Sequence, residues 1–118
     1  MREQLEKLNG IPGVQGSMVI TRDGIMVAAA LGPELHEDAV AALSSSLMLT
    51  LKRSFDPVGI DLEPEEMILT AQDGKLVFLD LGNAFLVVVT KPQLRLSSGL
   101  VEIRSAARKI RSLCAMSA

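Results

Sequence analysis

The longest helical pattern in the chain, residues 37–55, has no charged residue between Asp38 and Lys52. At 100° per residue, one stripe of this helix is mainly apolar and is expected to face a core: Val40, Leu43, Leu47, Leu51 and Ser54. A second stripe is small and almost uncharged where a surface helix would carry Lys and Glu: Ala39, Ala42, Ser46, Leu49 and Arg53. Small side chains let another backbone approach closely. The helix is therefore predicted to be covered twice, by its own sheet and by a partner helix.

Composition favours one domain, 1–118, with some of its apolar surface covered by another chain. The 118 residues are 48% hydrophobic but include only three aromatic residues, so the core is expected to be aliphatic. A net charge of -2 and the lack of Trp and Tyr argue against nucleic-acid binding.

Targeting and redox signals point to a cytoplasmic protein. No apolar run approaches the roughly 18 residues that span a bilayer, and no signal-type region follows the charged N-terminus. Cys114 is the single cysteine, so an internal disulfide is excluded.

The order of elements is predicted to be helix, two strands, helix, three strands, helix. Asp23-Gly24 and Asp73-Gly74 predict two-residue hairpin turns in which both central residues take positive φ. The apolar run Phe85 to Val89 favours a strand covered on both faces. The predicted helices are Met1–Leu8, Glu37–Phe55 and one from Leu94 onward, and the predicted strands are Ser17–Arg22, Ile25–Leu31, Met67–Ala71, Lys75–Leu81 and Ala84–Thr90.

These features resemble the roadblock family of dynein light chains and their prokaryotic relatives that partner small GTPases. The resemblance covers nearly the whole chain and rests on three segments: the opening Leu8-Asn9-Gly10-Ile11-Pro12-Gly13-Val14-Gln15-Gly16, the hairpin Thr21-Arg22-Asp23-Gly24-Ile25-Met26-Val27-Ala28, and the Ala/Ser/Leu helix followed by strands joined at Gly82-Asn83. The motifs are structural rather than catalytic.

The resemblance implies an α+β, roadblock/profilin-like fold. In it, a five-stranded antiparallel sheet carries the first and last helices on one face and the middle helix on the other. Family members dimerise by pairing the middle helices and extending the sheet across the third strand. The implied dimer interface is Ala39, Ala42, Ser46, Leu49, Arg53, Met67 and Leu69.

Candidate chemistry is sparse. Gly10, Gly13 and Gly16 precede a strand rather than a helix, so a turn role is favoured over phosphate binding. His36 is the only histidine and suits a surface or N-capping role better than metal binding. Ser44, Ser45 and Ser46 have no histidine partner and are interpreted as close-packing residues. No catalytic residue, cofactor site or metal site is predicted, and no enzyme activity.

Charged residues supply the candidates for partner binding: Lys52, Arg53, Arg104, Arg108 and Arg111. Arg104, Arg108 and Arg111 form a basic stripe on the last helix, which is either a solvated face or a docking site for an acidic partner or a membrane surface. The acidic loop residues Asp61, Glu63, Glu65 and Glu66 are expected to be mainly solvated, with partner contact as the alternative.

The leading hypothesis is a non-catalytic homodimer, or a heterodimer with a paralogue, that binds and regulates or scaffolds a small Ras-like GTPase. One alternative is a structural adaptor resembling a dynein light chain, which would bind a peptide or a larger complex. Another is a small-molecule sensor, which would need a cavity, and the aliphatic core suggests no polar anchor for a ligand.

Overall fold

The computed structural model describes residues 1–116, apart from the side chain of Leu96. The elements follow the predicted order, and α2 and β5 have the predicted bounds, while the other elements begin or end within three residues of prediction. They are α1 (Arg2–Asn9), β1 (Val14–Thr21), β2 (Met26–Leu31), α2 (Glu37–Phe55), a short 3-10 helix (Asp56–Val58), β3 (Glu66–Ala71), β4 (Gly74–Asp80), β5 (Ala84–Thr90) and α3 (Leu96–Met116).

The five strands form one antiparallel sheet in the order β2-β1-β5-β4-β3. β5 is the central strand and pairs with β1 and β4, which explains its continuously apolar sequence. β2 and β3 are the two edge strands.

Helices cover both faces of the sheet, as the resemblance implied. On one face, α1 and α3 contribute Leu5, Leu8, Ile103 and Ile110 to a core with Val19, Val77, Leu86 and Val88. On the other face, α2 contributes Ala41 and Met48 to a core with Met18, Ile20, Phe78, Phe85 and Val87. The two faces are called here the α1/α3 face and the α2 face.

The inward side of α2 differs from the predicted apolar stripe. Leu43 and Ser54 are exposed, whereas Ala41, Ser44 and Met48 are buried, with Val40, Leu47 and Leu51 half-buried. The buried side of α2 thus combines two small side chains, Ala41 and Ser44, with the long side chain of Met48. The predicted stripe is therefore rotated away from the side that is buried, which is centred on Ser44 and Met48.

The predicted hairpin turns also need correction. At the first hairpin, Thr21 N donates to Ile25 O, and of the three loop residues only Gly24 has positive φ, +91°. This is a three-residue loop rather than a two-residue turn. At the β3–β4 hairpin, Ala71 pairs with Gly74, so Gln72 and Asp73 occupy the turn.

Gly24 also brings the first hairpin against α2. A Cβ atom at this position would lie 2.6 Å from Ser45 Oγ, closer than such atoms approach in proteins. The loop therefore depends on glycine for its backbone conformation and for its contact with the helix.

Ser44 gives a test of packing beneath α2. Its side chain is fully buried, and its hydroxyl has no hydrogen-bond partner among the described residues. Because an unpaired buried hydroxyl is costly and Ala favours helix, Ser44→Ala is expected to raise the free energy of unfolding by about 1 kcal/mol. Urea unfolding measures this change. Ser105→Ala, at a half-buried position in α3, is the control for helix propensity alone. An equal gain in both variants would contradict the packing argument.

Candidate functional site

The predicted outward flank of α2 is exposed along its whole length. Leu49 retains 50% of its accessible surface, and Leu43, which was expected to face inward, adds another apolar side chain at 55%. The residues of this surface, called here the α2 flank, are Ala39, Ala42, Leu43, Ser46, Leu49 and Arg53. Its only charge is Arg53 at the C-terminal end.

The α2 face is less fully covered than the α1/α3 face. Five strands at about 4.8 Å spacing make a sheet roughly 20 Å wide, whereas one helix with its side chains is about 10–12 Å across. Met67 and Leu69 of β3 pair with Phe78 and Leu76, which pack in the α2-side core, so both side chains belong to this face. Met67 is half-buried and Leu69 is 38% exposed. The edge strand β3 therefore adds apolar surface to the face that carries the α2 flank.

Lys52 does not stand free at the end of α2. Its Nζ donates to Glu63 Oε1 at 2.9 Å, and Arg22 Nη1 donates to Glu63 Oε2 at 3.3 Å. The hydrogen bond from Lys52, and to a smaller extent the charge of Arg22, lower the pKa of the Glu63 carboxyl. One carboxylate of the 60–65 loop thus joins α2 to the β1–β2 hairpin.

Arg22 is held by further contacts. It donates to Asp80 Oδ1 at 3.2 Å and to the Gly82 carbonyl at 3.0 Å, and its guanidinium carbon lies 4.8 Å from the centre of the Phe85 ring. These contacts fix the guanidinium group over the aromatic face. Phe85 and Arg22 both border a cleft of about 360 Å³.

The basic stripe on α3 is exposed, as predicted, but its arginines are not equivalent. Arg104 forms a two-point ion pair with Glu66 of β3, with N–O distances of 2.8 and 2.7 Å. This pair lowers the pKa of Glu66 and raises the pKa of Arg104. The side chains of Arg108 and Arg111 make no hydrogen bond or ion pair within residues 1–116. Arg104 is thus already engaged, whereas the other two are available.

The acidic loop divides in the same way. Glu63 and Glu66 are paired with cations, whereas Asp61 and Glu65 form no ion pair with any described residue. His36 caps α2, and its Nδ1 accepts from Ala39 N at 3.4 Å, which confirms the capping interpretation. Over the described part of the chain, no group of three or more His, Cys, Asp or Glu is placed to hold a metal ion.

Arg22 and Phe85 were not among the predicted site residues. Arg22 lies 41 residues from Glu63 and 58 from Asp80, so no local spacing could reveal these pairs. The one available signal was an arginine in a hairpin tip whose other residues suit a turn.

None of the helices within residues 1–116 is long and apolar enough to cross a membrane.

A five-stranded antiparallel sheet with two helices on one face, one on the other and an exposed apolar flank defines a roadblock-type domain. The sequence profile of the Roadblock/LC7 domain matches residues 1–90, and the chain belongs to this family. Three uncharacterized proteins of Methanocaldococcus jannaschii are each 29% identical over 109 residues. These matches cover 92% of this chain and 92–95% of the relatives.

Solved structures share the fold over nearly the full chain. A Roadblock/LC7 domain from Streptomyces avermitilis has a TM-score of 0.81 at 16% identity and covers 97% of both chains. MglB of Myxococcus xanthus has a TM-score of 0.84 at 14% identity and covers 98% of this chain and 87% of its own. An MglB described with a tetrameric arrangement has a TM-score of 0.78 at 20% identity, covering 93% and 84%.

The Glu66–Arg104 pair predicts a pH-dependent contribution to stability. Because the pKa of Glu66 is lowered in the folded state from its ordinary 4.5, the stabilisation is present above that value and is lost as the pH falls through the folded-state pKa. Glu66→Gln is expected to lower the free energy of unfolding by about 0.5–1 kcal/mol at pH 7, with a smaller difference from wild type at pH 3. Urea unfolding at both pH values measures it, with Glu65→Gln as the unpaired control. A deficit that persists undiminished at pH 3 would exclude the ion pair as its cause.

Proposed function

We propose that the protein is a non-catalytic homodimer in the cytoplasm that binds a small Ras-like GTPase and regulates or scaffolds it. The observation that carries the proposal is the exposed, almost charge-free α2 flank beside an open sheet edge. The resemblance to prokaryotic roadblock proteins that partner small GTPases supports the choice of partner. In this function, any acceleration of GTP hydrolysis comes from positioning the GTPase's own groups.

Dimerisation would cover the apolar surface that a single chain leaves in water. Ala39, Ala42 and Ser46 are small enough for a second α2 to approach, and Leu43 and Leu49 would supply apolar contact area. β3 has a free hydrogen-bonding edge that a second β3 could extend, with Met67 and Leu69 beneath the joined helices. The MglB structure with a tetrameric arrangement supports association between copies of this fold.

The partner surface is proposed on the cations that the fold leaves free. Arg53 on the α2 flank and Arg108 and Arg111 on α3 have no side-chain ion pair within the described chain. Lys52 and Arg104 would first have to leave Glu63 and Glu66. Arg108 and Arg111 are therefore the stronger candidates for contacting an acidic surface of the GTPase.

The dimer is tested by placing one charge on the α2 flank. Light scattering at micromolar concentration is expected to give the mass of two chains for wild type and of one chain for Ser46→Glu or Leu49→Asp. A buried unpaired charge costs several kcal/mol, so association should weaken by about a hundredfold or more. Val101→Asp is the matched control, because Val101 is an apolar residue of α3 with 60% exposure. A wild-type monomer at high concentration would refute the dimer.

The partner is tested with purified small Ras-like GTPases in the GDP-bound and GTP-analogue-bound states. Immobilised wild-type protein is expected to retain a GTPase, and the double variant Arg108→Glu, Arg111→Glu is expected to lose at least tenfold in affinity while remaining dimeric. Capture of none of the GTPases in either state would reject the proposed partner. Binding of a linear peptide that is indifferent to nucleotide would favour the structural adaptor instead.

A further inference from the structure

The cleft beside Arg22 has a volume and a lining that suit a small-molecule ligand. It lies between the β1–β2 hairpin, the second half of α2 and the 60–65 loop, and its volume of about 360 Å³ is in the lower range of small-molecule pockets. Much of its lining is apolar, from Met48, Leu49, Leu62, Pro64 and Phe85. We propose that this cleft binds a small monocarboxylate with an apolar body, and that Glu63 occupies the position of the ligand's carboxylate in the free protein.

Two cations from different elements define the head-group position. Arg22 comes from the hairpin and Lys52 from α2, yet both donate to the carboxylate of Glu63, at 3.3 and 2.9 Å. Arg22 is additionally fixed by Asp80, Gly82 and the Phe85 ring, so its donors are already oriented when the carboxylate is exchanged. Both cations lie at the surface, outside the two cores, and would supply the polar anchor that the aliphatic core itself does not suggest.

Glu63 is suited to be an exchangeable occupant. About half of its side chain, 51%, is exposed, and it lies in a loop rather than in a strand or helix. Its release leaves the sheet pairing and both cores unchanged, because it contributes to neither. The apolar body of a ligand would then rest against Phe85, Met48 and Leu62 and cover more apolar surface than the two methylene groups of Glu63 can.

The Glu63 carboxylate competes with a ligand for the two cations. The apparent affinity of the ligand is therefore proportional to the fraction of the protein in which Glu63 has left them. If Glu63 covers them about nine-tenths of the time, its removal raises the apparent affinity for a competing carboxylate about tenfold. A site that recognises the carboxylate also discriminates against a neutral ligand of the same shape, because Lys52 then has no counter-ion and Arg22 keeps only Asp80.

The probe is 4-phenylbutyrate, followed by chemical shifts of backbone amides in the full-length protein. The matched probes are 4-phenylbutan-1-ol, which keeps the body, and acetate, which keeps only the head group. Glu63→Gln is expected to bind 4-phenylbutyrate about tenfold more tightly than wild type, with shifts clustered in residues 22–24, 48–52 and 62–64. Adding Lys52→Met to Glu63→Gln is expected to reverse the gain.

Glu65→Gln is the matched control. It makes the same change in net charge as Glu63→Gln, but at a carboxylate two residues away that forms no ion pair with any described residue. Glu63→Asp keeps the charge but shortens the side chain, and an intermediate affinity is expected. Equal affinities of Glu63→Gln and Glu65→Gln, equal binding of the alcohol and the carboxylate, or no binding at all would overturn the proposal. A loss of stability in Glu63→Gln without a gain in affinity would also overturn the proposal, because Glu63 would then only hold the 60–65 loop in place. Mass and GTPase binding are measured separately, so failure here is distinguishable from failure of the proposed function.

Discussion

A single helix cannot cover a five-stranded sheet, and this mismatch shapes the molecule. The α1/α3 face has two helices and a core that reaches from β2 to β4. On the α2 face, one helix buries Ala41, Ser44 and Met48, while its opposite flank and the β3 side of the sheet retain apolar surface. An exposed patch of this kind is unfavourable in a lone monomer. Ala41 and Ser44 lie on the buried side of α2, whereas a different set of small residues, Ala39, Ala42 and Ser46, lies on the exposed flank and leaves room for the proposed second helix.

The sequence predicted the elements that local patterns determine. The bounds of α2 follow from a helical period ended by charged residues, and those of β5 follow from an apolar run between Asn83 and Lys91-Pro92. The rotation of α2 was predicted less well. Helical periodicity identifies an apolar side, but the depth of burial depends on how closely the helix approaches the sheet. In this protein two of the three buried residues of α2 are Ala41 and Ser44, whose small size gave no strong signal.

The candidate site was harder to predict than the fold, because its parts come from distant segments. Arg104 and Glu66 are 38 residues apart, and Arg22 and Glu63 are 41 apart. The charge of each was visible in the sequence, and the basic stripe on α3 was correctly placed on the surface. Which charges neutralise one another, and which remain available, depends on the path of the 60–65 loop and on strand register. No local periodicity in the sequence predicts either the path of the loop or the strand register.

The distance between Arg22 and Lys52 depends on a residue with no side chain. Gly24 touches Ser45 of α2, and a larger residue would push the hairpin tip outward or distort the loop, whose φ of +91° suits glycine. Arg22 moves with the hairpin and Lys52 moves with the helix, so the contact between Gly24 and Ser45 sets the distance between them. Gly24 thus sets the distance between the two cations, although it has no side chain of its own. A single substitution at Gly24 would change that distance while leaving both charges in place.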